Sequence, residues 1–300
     1  MKVAITGSSG LVGGALVPFL TAGGHEVVRL VRRDPKAKDE ARWDPESGMV
    51  DAEALEGVDA VVHLAGENIA GGRWTEARKN RLRSSRVGPT RLLAERLAGL
   101  EKKPRVLVSA SAVGYYGSRG DAWMTETDSP ADDFLGRLSV AWEGAAEPAR
   151  RAGIRVVHPR MGIVLSPAGG ALGRMLLPFK VGLGGVLGPG TQYMSWIALD
   201  DLLGVLHHLL DGVDIEGPVN AVAPEPVTNA VFTRTLGRVL GRPTIVPAPA
   251  FALRLAFGEM ADAALLASTR VKPDRLVASG YRFRFPDLEG ALRHLLGKAR

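Results

Sequence analysis

The chain of 300 residues contains no cysteine. That excludes disulfides, thiolate metal sites and a cysteine nucleophile, and it leaves the redox compartment open. Glutamine is nearly absent as well. Gln192 is the only one, which fits a high-temperature source and fits codon bias equally well. No segment offers the roughly 18 consecutive apolar residues of a membrane span, and the apolar run after Met1-Lys2 is too short for a secretory leader. A cytoplasmic protein without a membrane partner is expected. The six histidines show no metal-ligand spacing, and neither a serine nucleophile elbow nor a Walker A loop occurs, so no metal site is expected either.

What is present is ordinary for a soluble globular chain: 46% hydrophobic and 23% charged residues. The length suggests one large domain with a smaller appendage. The formal net charge of +6 is spread along the chain. Its densest run, Arg78, Lys79, Arg81, Arg83 and Arg86, lies within one apparent helix. It reads either as a solvated helix face or as a surface facing phosphate or nucleic acid, and no nucleic-acid partner is expected.

Lys2 to Thr6 has the pattern of a short buried strand, and helical spacing follows from Leu11 to the stop at Gly23-Gly24. Further strands are expected at Glu26–Val31, Ala60–Leu64, Arg105–Val108 and Ile154–Val157, with long helices over Trp74–Leu100 and Phe134–Ala152. Strands alternating with helices predict a doubly wound α/β fold with a parallel sheet covered on both faces. Residues 1–165 are read as the sheet domain, with 199–223 returning to it. Residues 166–198 and 224–300 are read as a smaller, mostly helical substrate domain.

Between the first strand and the first helix stand Gly7, Ser8, Ser9, Gly10, Leu11, Val12 and Gly13. Glycines at 7, 10 and 13 in that position make the phosphate-binding turn of a Rossmann dinucleotide site: one for the tight turn, one for close backbone approach, one for helix–sheet packing. At the end of the second strand, where an acidic residue would bind the ribose of NAD, the chain reads Arg32-Arg33. Guanidinium groups there pair with the 2′-phosphate of NADP, so NADP(H) is the expected cofactor, although Asp34 stands next door.

Several segments resemble the extended short-chain dehydrogenase/reductases: the glycine turn, Leu64-Ala65-Gly66 and the serines Ser109 and Ser111. Trp43-Asp44-Pro45, Ala65-Gly66-Glu67-Asn68-Ile69, Arg73-Trp74-Thr75, the run Ser109 to Gly117, and Ser195-Trp196-Ile197 resemble one atypical branch, the sugar-nucleotide epimerase-like or cell-division-inhibitor-like proteins. Val271-Lys272-Pro273 and Phe283-Arg284-Phe285-Pro286 resemble the small domain that ends that branch. The resemblance implies a role in cofactor binding for Leu64, Ala65, Gly66, Ser109, Ala110, Pro159 and Arg160. It implies that Ser111 orients a substrate oxygen. It also implies a tyrosine four positions before a lysine as the proton-transfer pair, but those positions fall near Leu135 and Ser139, which cannot serve.

Tyr115 and Tyr116 are the nearest replacements, either as acid/base groups or as packing residues. Glu67, Asn68 and Arg73 are candidate substrate ligands or loop stabilisers, and Gln192, Ser195 and Trp196 lie where relatives build the substrate pocket. Asp200-Asp201 reads as a helix cap. Two readings follow. One is an NADP(H)-dependent oxidoreductase or epimerase acting on a small molecule, as a monomer or homodimer. The other is a protein of the same fold that binds the dinucleotide as a sensor or interaction module without turning it over.

Overall fold

The computed structural model describes residues 1–211 and 214–298. The expected segments 199–223 and 224–300 therefore each include two positions outside the described residues. A nine-stranded sheet forms the centre. Across it run Gly217–Ala221, Arg155–Met161, Val106–Ser109, Ala60–His63, Lys2–Thr6, Glu26–Val31, Glu40–Asp44 and Met49–Val50. All neighbours are parallel except the last pair, and Ser111–Ala112 also pairs with Arg155–Met161. The chain builds outward from Lys2–Thr6 to Glu26–Val31 and Glu40–Asp44, then returns to the other side through Ala60–His63. The order therefore reverses beside Lys2–Thr6, and open α/β sheets place their ligands outside the strand ends at such a point.

Strand alternation divides the core. Val3 and Ile5 face one layer, packed with Leu16 and Leu20 of the helix Leu11–Ala22 and with Leu202, Leu206 and Leu209 of the helix Leu199–Leu210. Ala4 and Val61 face the other, against Leu93 and Leu97 of the helix Glu76–Ala98. Both faces are thus buried, as a parallel sheet requires. A separate cluster around Trp196 and Phe232 joins the helices Gly170–Lys180, Asn229–Leu240 and Leu288–Leu295.

Three expectations change. The helix expected over 134–152 is two, Phe134–Gly144 and Glu147–Arg151. Pro148 lacks an N–H and so opens the second helix instead of continuing the first. The strands Glu40–Asp44 and Met49–Val50 extend the sheet where none was expected. Asp201 lies inside the first turn of its helix, fully buried, and accepts the backbone N–H groups of Arg284 and Phe285 at 2.8 and 3.0 Å. It ties the C-terminal segment down instead of capping its own helix.

Candidate functional site

Gly7 adopts φ +69°. A Cβ there would lie 2.8 Å from the Leu64 carbonyl carbon and 2.9 Å from the Ala65 nitrogen. At Gly13 a Cβ would fall 2.2 Å from the Gly7 carbonyl oxygen. Both positions admit only glycine. Gly10 N–H donates to Gly7 at 3.0 Å, and no side chain caps the helix that starts at Leu11. Ser8 is half-buried and Ser9 exposed, so the first N–H groups of Leu11, Val12 and Gly13 end in an open helix N-terminus, the usual cradle for an anion. A cleft of about 490 Å³ opens beside it, lined by Ser9, Gly10, Leu11 and Gly14 on one side and Ala168, Gly169 and Leu199 on the other.

The next loop is tied to this turn. Thr6 Oγ1 accepts the N–H groups of Leu64 and Ala65 at 3.1 and 3.2 Å. Its single proton therefore goes to His63 Nδ1, 2.7 Å away. His63 Nε2–H then donates to Thr90 Oγ1 at 2.9 Å, which also receives Trp142 Nε1–H at 3.1 Å. Burial pulls the His63 pKa down to about 4, so the ring is neutral and this line of contacts has one polarity.

The two arginines at the end of Glu26–Val31 part company. Arg33 forms a two-pronged pair with Glu40, at 2.7 and 2.5 Å. Among the described residues Arg32 has no hydrogen bond or ion pair, and its side chain is exposed. Glu40 reaches Arg33 from the neighbouring strand Glu40–Asp44, a pairing that sequence spacing does not disclose.

At the far end of the sheet the expected site residues are brought together, but in contact with one another. Ser111 is 2% exposed and its Oγ donates to Glu143 Oε1 at 2.6 Å. Arg160 Nε and Nη2 hold the two oxygens of the same carboxylate at 2.8 and 2.9 Å. Arg160 Nη1 reaches the Tyr116 hydroxyl at 3.0 Å, and that hydroxyl donates to Asn220 Oδ1 at 2.7 Å. Burial opposes the Arg160 charge, but Glu143 outweighs it and the guanidinium pKa stands above its ordinary value. Tyr116 is fully buried, and burial pushes its pKa up to about 12. Burial and these hydrogen bonds favour the packing reading for Tyr116. Tyr115 is half-buried, with the Arg160 guanidinium stacked 3.4 Å from its ring centre. Arg160 points into this buried network, and Pro159 sits inside the sheet opposite Val219. Ser109 is buried with an unpartnered Oγ, and Ala110 N–H is held by the His63 carbonyl at 3.0 Å.

The expected substrate residues divide in the same way. Glu67 pairs with Arg78, Asn68 Oδ1 accepts Ala70 N–H within its own loop at 2.9 Å, and a Cβ on Gly66 would touch the Arg86 guanidinium at 3.4 Å. Arg73 is exposed, beside Gly258. Gln192 is buried, its amide N–H groups on the Leu187 and Leu265 carbonyls and its Oε1 without a partner. Ser195 staples Thr269 and Val271, and Trp196 is wholly in the core, donating to the Glu225 carbonyl at 2.9 Å. Both side chains are thus engaged inside the fold. Sequence reasoning missed Glu143. Its signal was its spacing: it falls one helical turn after Ser139 and two after Leu135, on the face where the tyrosine and lysine were sought.

The basic run is also accounted for in part. Arg78 pairs with Glu67, Lys79 with Glu76 and Glu259, and Arg86 stacks on Trp142 and donates to the Glu67 carbonyl. It is not a continuous free cationic face. Among the described residues no helix is long and apolar enough to cross a membrane, and no group of three or more His, Asp or Glu side chains is placed to hold a metal ion.

Residues 3–221 match the NAD dependent epimerase/dehydratase family, and residues 248–295 match a domain of unknown function, DUF1731. The chain belongs to the NAD dependent epimerase/dehydratase family. It is 49% identical over 290 residues to an epimerase family protein of Mycobacterium bovis, covering 97% of this chain and 96% of that one. Human epimerase family protein SDR39U1 is 39% identical over 300 residues, with 99% and 100% covered. The crystal structure of that human protein with NADPH superposes with a TM-score of 0.91 at 37% identity, covering all of both chains. A nucleoside-diphosphate sugar epimerase from Corynebacterium glutamicum gives 0.83 at 40% identity, over 99% of this chain and 58% of that one. The match to MoeE5 with UDP-glucuronic acid and NAD, at 23% identity and a TM-score of 0.79, speaks for the fold alone.

Proposed function

We propose that the chain binds NADP(H) and acts on a small molecule as an atypical short-chain oxidoreductase or epimerase. The observation that carries the cofactor is the glycine turn. Its Gly7 and Gly13 leave no space for a side chain, and it feeds an uncapped helix N-terminus. Arg32, exposed and unpaired among the described residues at the end of Glu26–Val31, is the group that would meet the 2′-phosphate, while Arg33 holds Glu40. The NADPH in the human relative's crystal supports the same choice. A bound nicotinamide supplies a hydride donor or acceptor. This chain's residues supply the phosphate cradle, the wall around Leu64 to Gly66 and an oriented Ser111. Residues 166–198 and 224–300 are proposed as the substrate side of the cleft, in a chain that works outside the membrane.

One set of observations favours the sensor reading. Leu135 and Ser139 replace the proton-transfer pair, Tyr116 is buried, and Ser111 faces Glu143. Titration with NADPH and NADH, followed by nicotinamide fluorescence, tests the binding; a panel of carbonyl compounds and quinones then tests for oxidation of the bound NADPH. We expect NADPH to bind at least about tenfold tighter than NADH. Substrate-dependent oxidation would establish a reductase, and binding with no turnover would leave a redox-neutral epimerase or a sensor. Failure to bind either dinucleotide would sink the proposal.

A further inference from the structure

We propose that Glu143 is a positioning residue that turns Ser111 into a hydrogen-bond acceptor, so that the oxygen received at Ser111 is a hydroxyl: the site selects an alcohol over a ketone. The inference rests on the cofactor reading above and deepens it.

A serine hydroxyl has one proton and two lone pairs. In Ser111 the proton is already placed, on Glu143 Oε1 at 2.6 Å. The acceptor cannot turn away, because Arg160 holds that same oxygen through Nε at 2.8 Å and the second oxygen through Nη2 at 2.9 Å. Arg160 is itself fixed by Tyr116, by the Glu126 carbonyl at 3.4 Å, and by its stacking on Tyr115. The side chains of Arg160 and Glu143 are only 3% and 13% exposed, so water is a poor substitute for the Ser111 donor. Releasing the proton towards a substrate carbonyl would leave a buried carboxylate short of a donor, which is unfavourable. The lone pairs of Ser111 remain. They accept a hydrogen bond from an alcohol and repel the lone pairs of a ketone.

The full chain saturated with NADP⁺ provides the test, with two probes that cannot react on the oxidised cofactor. One is 1-methylcyclohexanol, a tertiary alcohol with no hydride to give; the other is cyclohexanone. Ligand-observed NMR gives both dissociation constants. In the unmodified chain the alcohol should bind at least about tenfold tighter, because a site built around one hydrogen bond rejects an analogue that cannot make it. In Glu143→Gln the amide can itself donate to Ser111, the serine proton swings free, and the preference should vanish or reverse. NADP⁺ affinity should change by less than about twofold, since Glu143 does not contact the cofactor cradle. Glu143→Asp, which keeps the charge for Arg160 and draws the carboxylate back from Ser111, should lose the preference too and covers the case in which the glutamine variant fails to fold. Equal binding of the two probes, no binding of either, or a preference that survives in a folded Glu143 variant would overturn the assignment. Absence of NADP⁺ binding in the unmodified chain overturns the cofactor reading as well, and is seen before any probe is added.

Discussion

The two ends of the site are built on opposite plans. At the glycine turn the available groups are backbone N–H groups of an uncapped helix, and Arg32, at the end of the neighbouring strand Glu26–Val31, has no partner among the described residues. At the Ser111 end three of the expected side chains already have one: Ser111 and Arg160 on Glu143, Tyr116 on Arg160 and Asn220. The first end is left unsatisfied and so is ready for a charged ligand. The second is a closed polar network, which gives rigidity and fixes proton positions at the cost of reactive freedom. One fold can thus carry an open anion cradle and a closed polar network on the same sheet.

Breaking the closed end should produce the largest effect. Arg160→Ala leaves Glu143 buried with its main donor gone, and removing one partner of a buried ion pair costs about 3–5 kcal/mol. Urea unfolding should show that loss, whereas NADPH affinity measured under native conditions should fall by no more than about threefold, because the cradle is built from other strands. A parallel collapse of NADPH affinity in protein that is still folded would mean that the two ends are one unit.

The line Thr6–His63–Thr90–Trp142 runs from the strand before the glycine turn to the helix that carries Glu143, and it gives a pH test. His63 is neutral in the folded chain down to about pH 4, while in the unfolded chain it takes a proton near the ordinary histidine value of 6.5. The unfolded state therefore binds more protons between these values. Stability is full above pH 6.5, falls as the pH drops, and has lost this contribution near pH 4, by about 3 kcal/mol. Urea midpoints across that range should fall accordingly, and His63→Gln should flatten the slope. An unchanged slope in the variant would assign the acid sensitivity to other groups.

How much of this could be read in the sequence differs between the two ends for a physical reason. The glycine turn is local: three glycines, a strand before and a helix after suffice, and the structure places Gly7, Gly10 and Gly13 together as one turn. The missing Tyr–Lys pair was equally local, because it is a spacing within one helix. Glu143 was passed over because its partners lie 32 and 17 residues away in the chain, on Ser111 and Arg160. Nothing near Trp196 and Ser195 in sequence shows that Trp196 enters the core or that Ser195 meets Thr269 and Val271. Arg33 was grouped with Arg32 because Glu40 stands on a strand that the pattern did not disclose. Non-local pairing decided each of these.

That last pair gives the sharpest and smallest test of the open end. Arg32 and Arg33 are adjacent and alike in sequence, yet only Arg32 is unpaired among the described residues, while Arg33 is held by both oxygens of Glu40. Arg32→Ala should weaken NADPH by about tenfold, the worth of one charge-assisted contact to phosphate, and leave NADH nearly unchanged. Arg33→Ala should change NADPH affinity by less than about twofold, because its guanidinium is already engaged. Equal losses in the two variants would place both guanidinium groups at the 2′-phosphate and require the Arg33–Glu40 pair to open on binding. A loss confined to Arg32 would show that the neighbouring strand, through Glu40, chooses which of two adjacent arginines reads the cofactor.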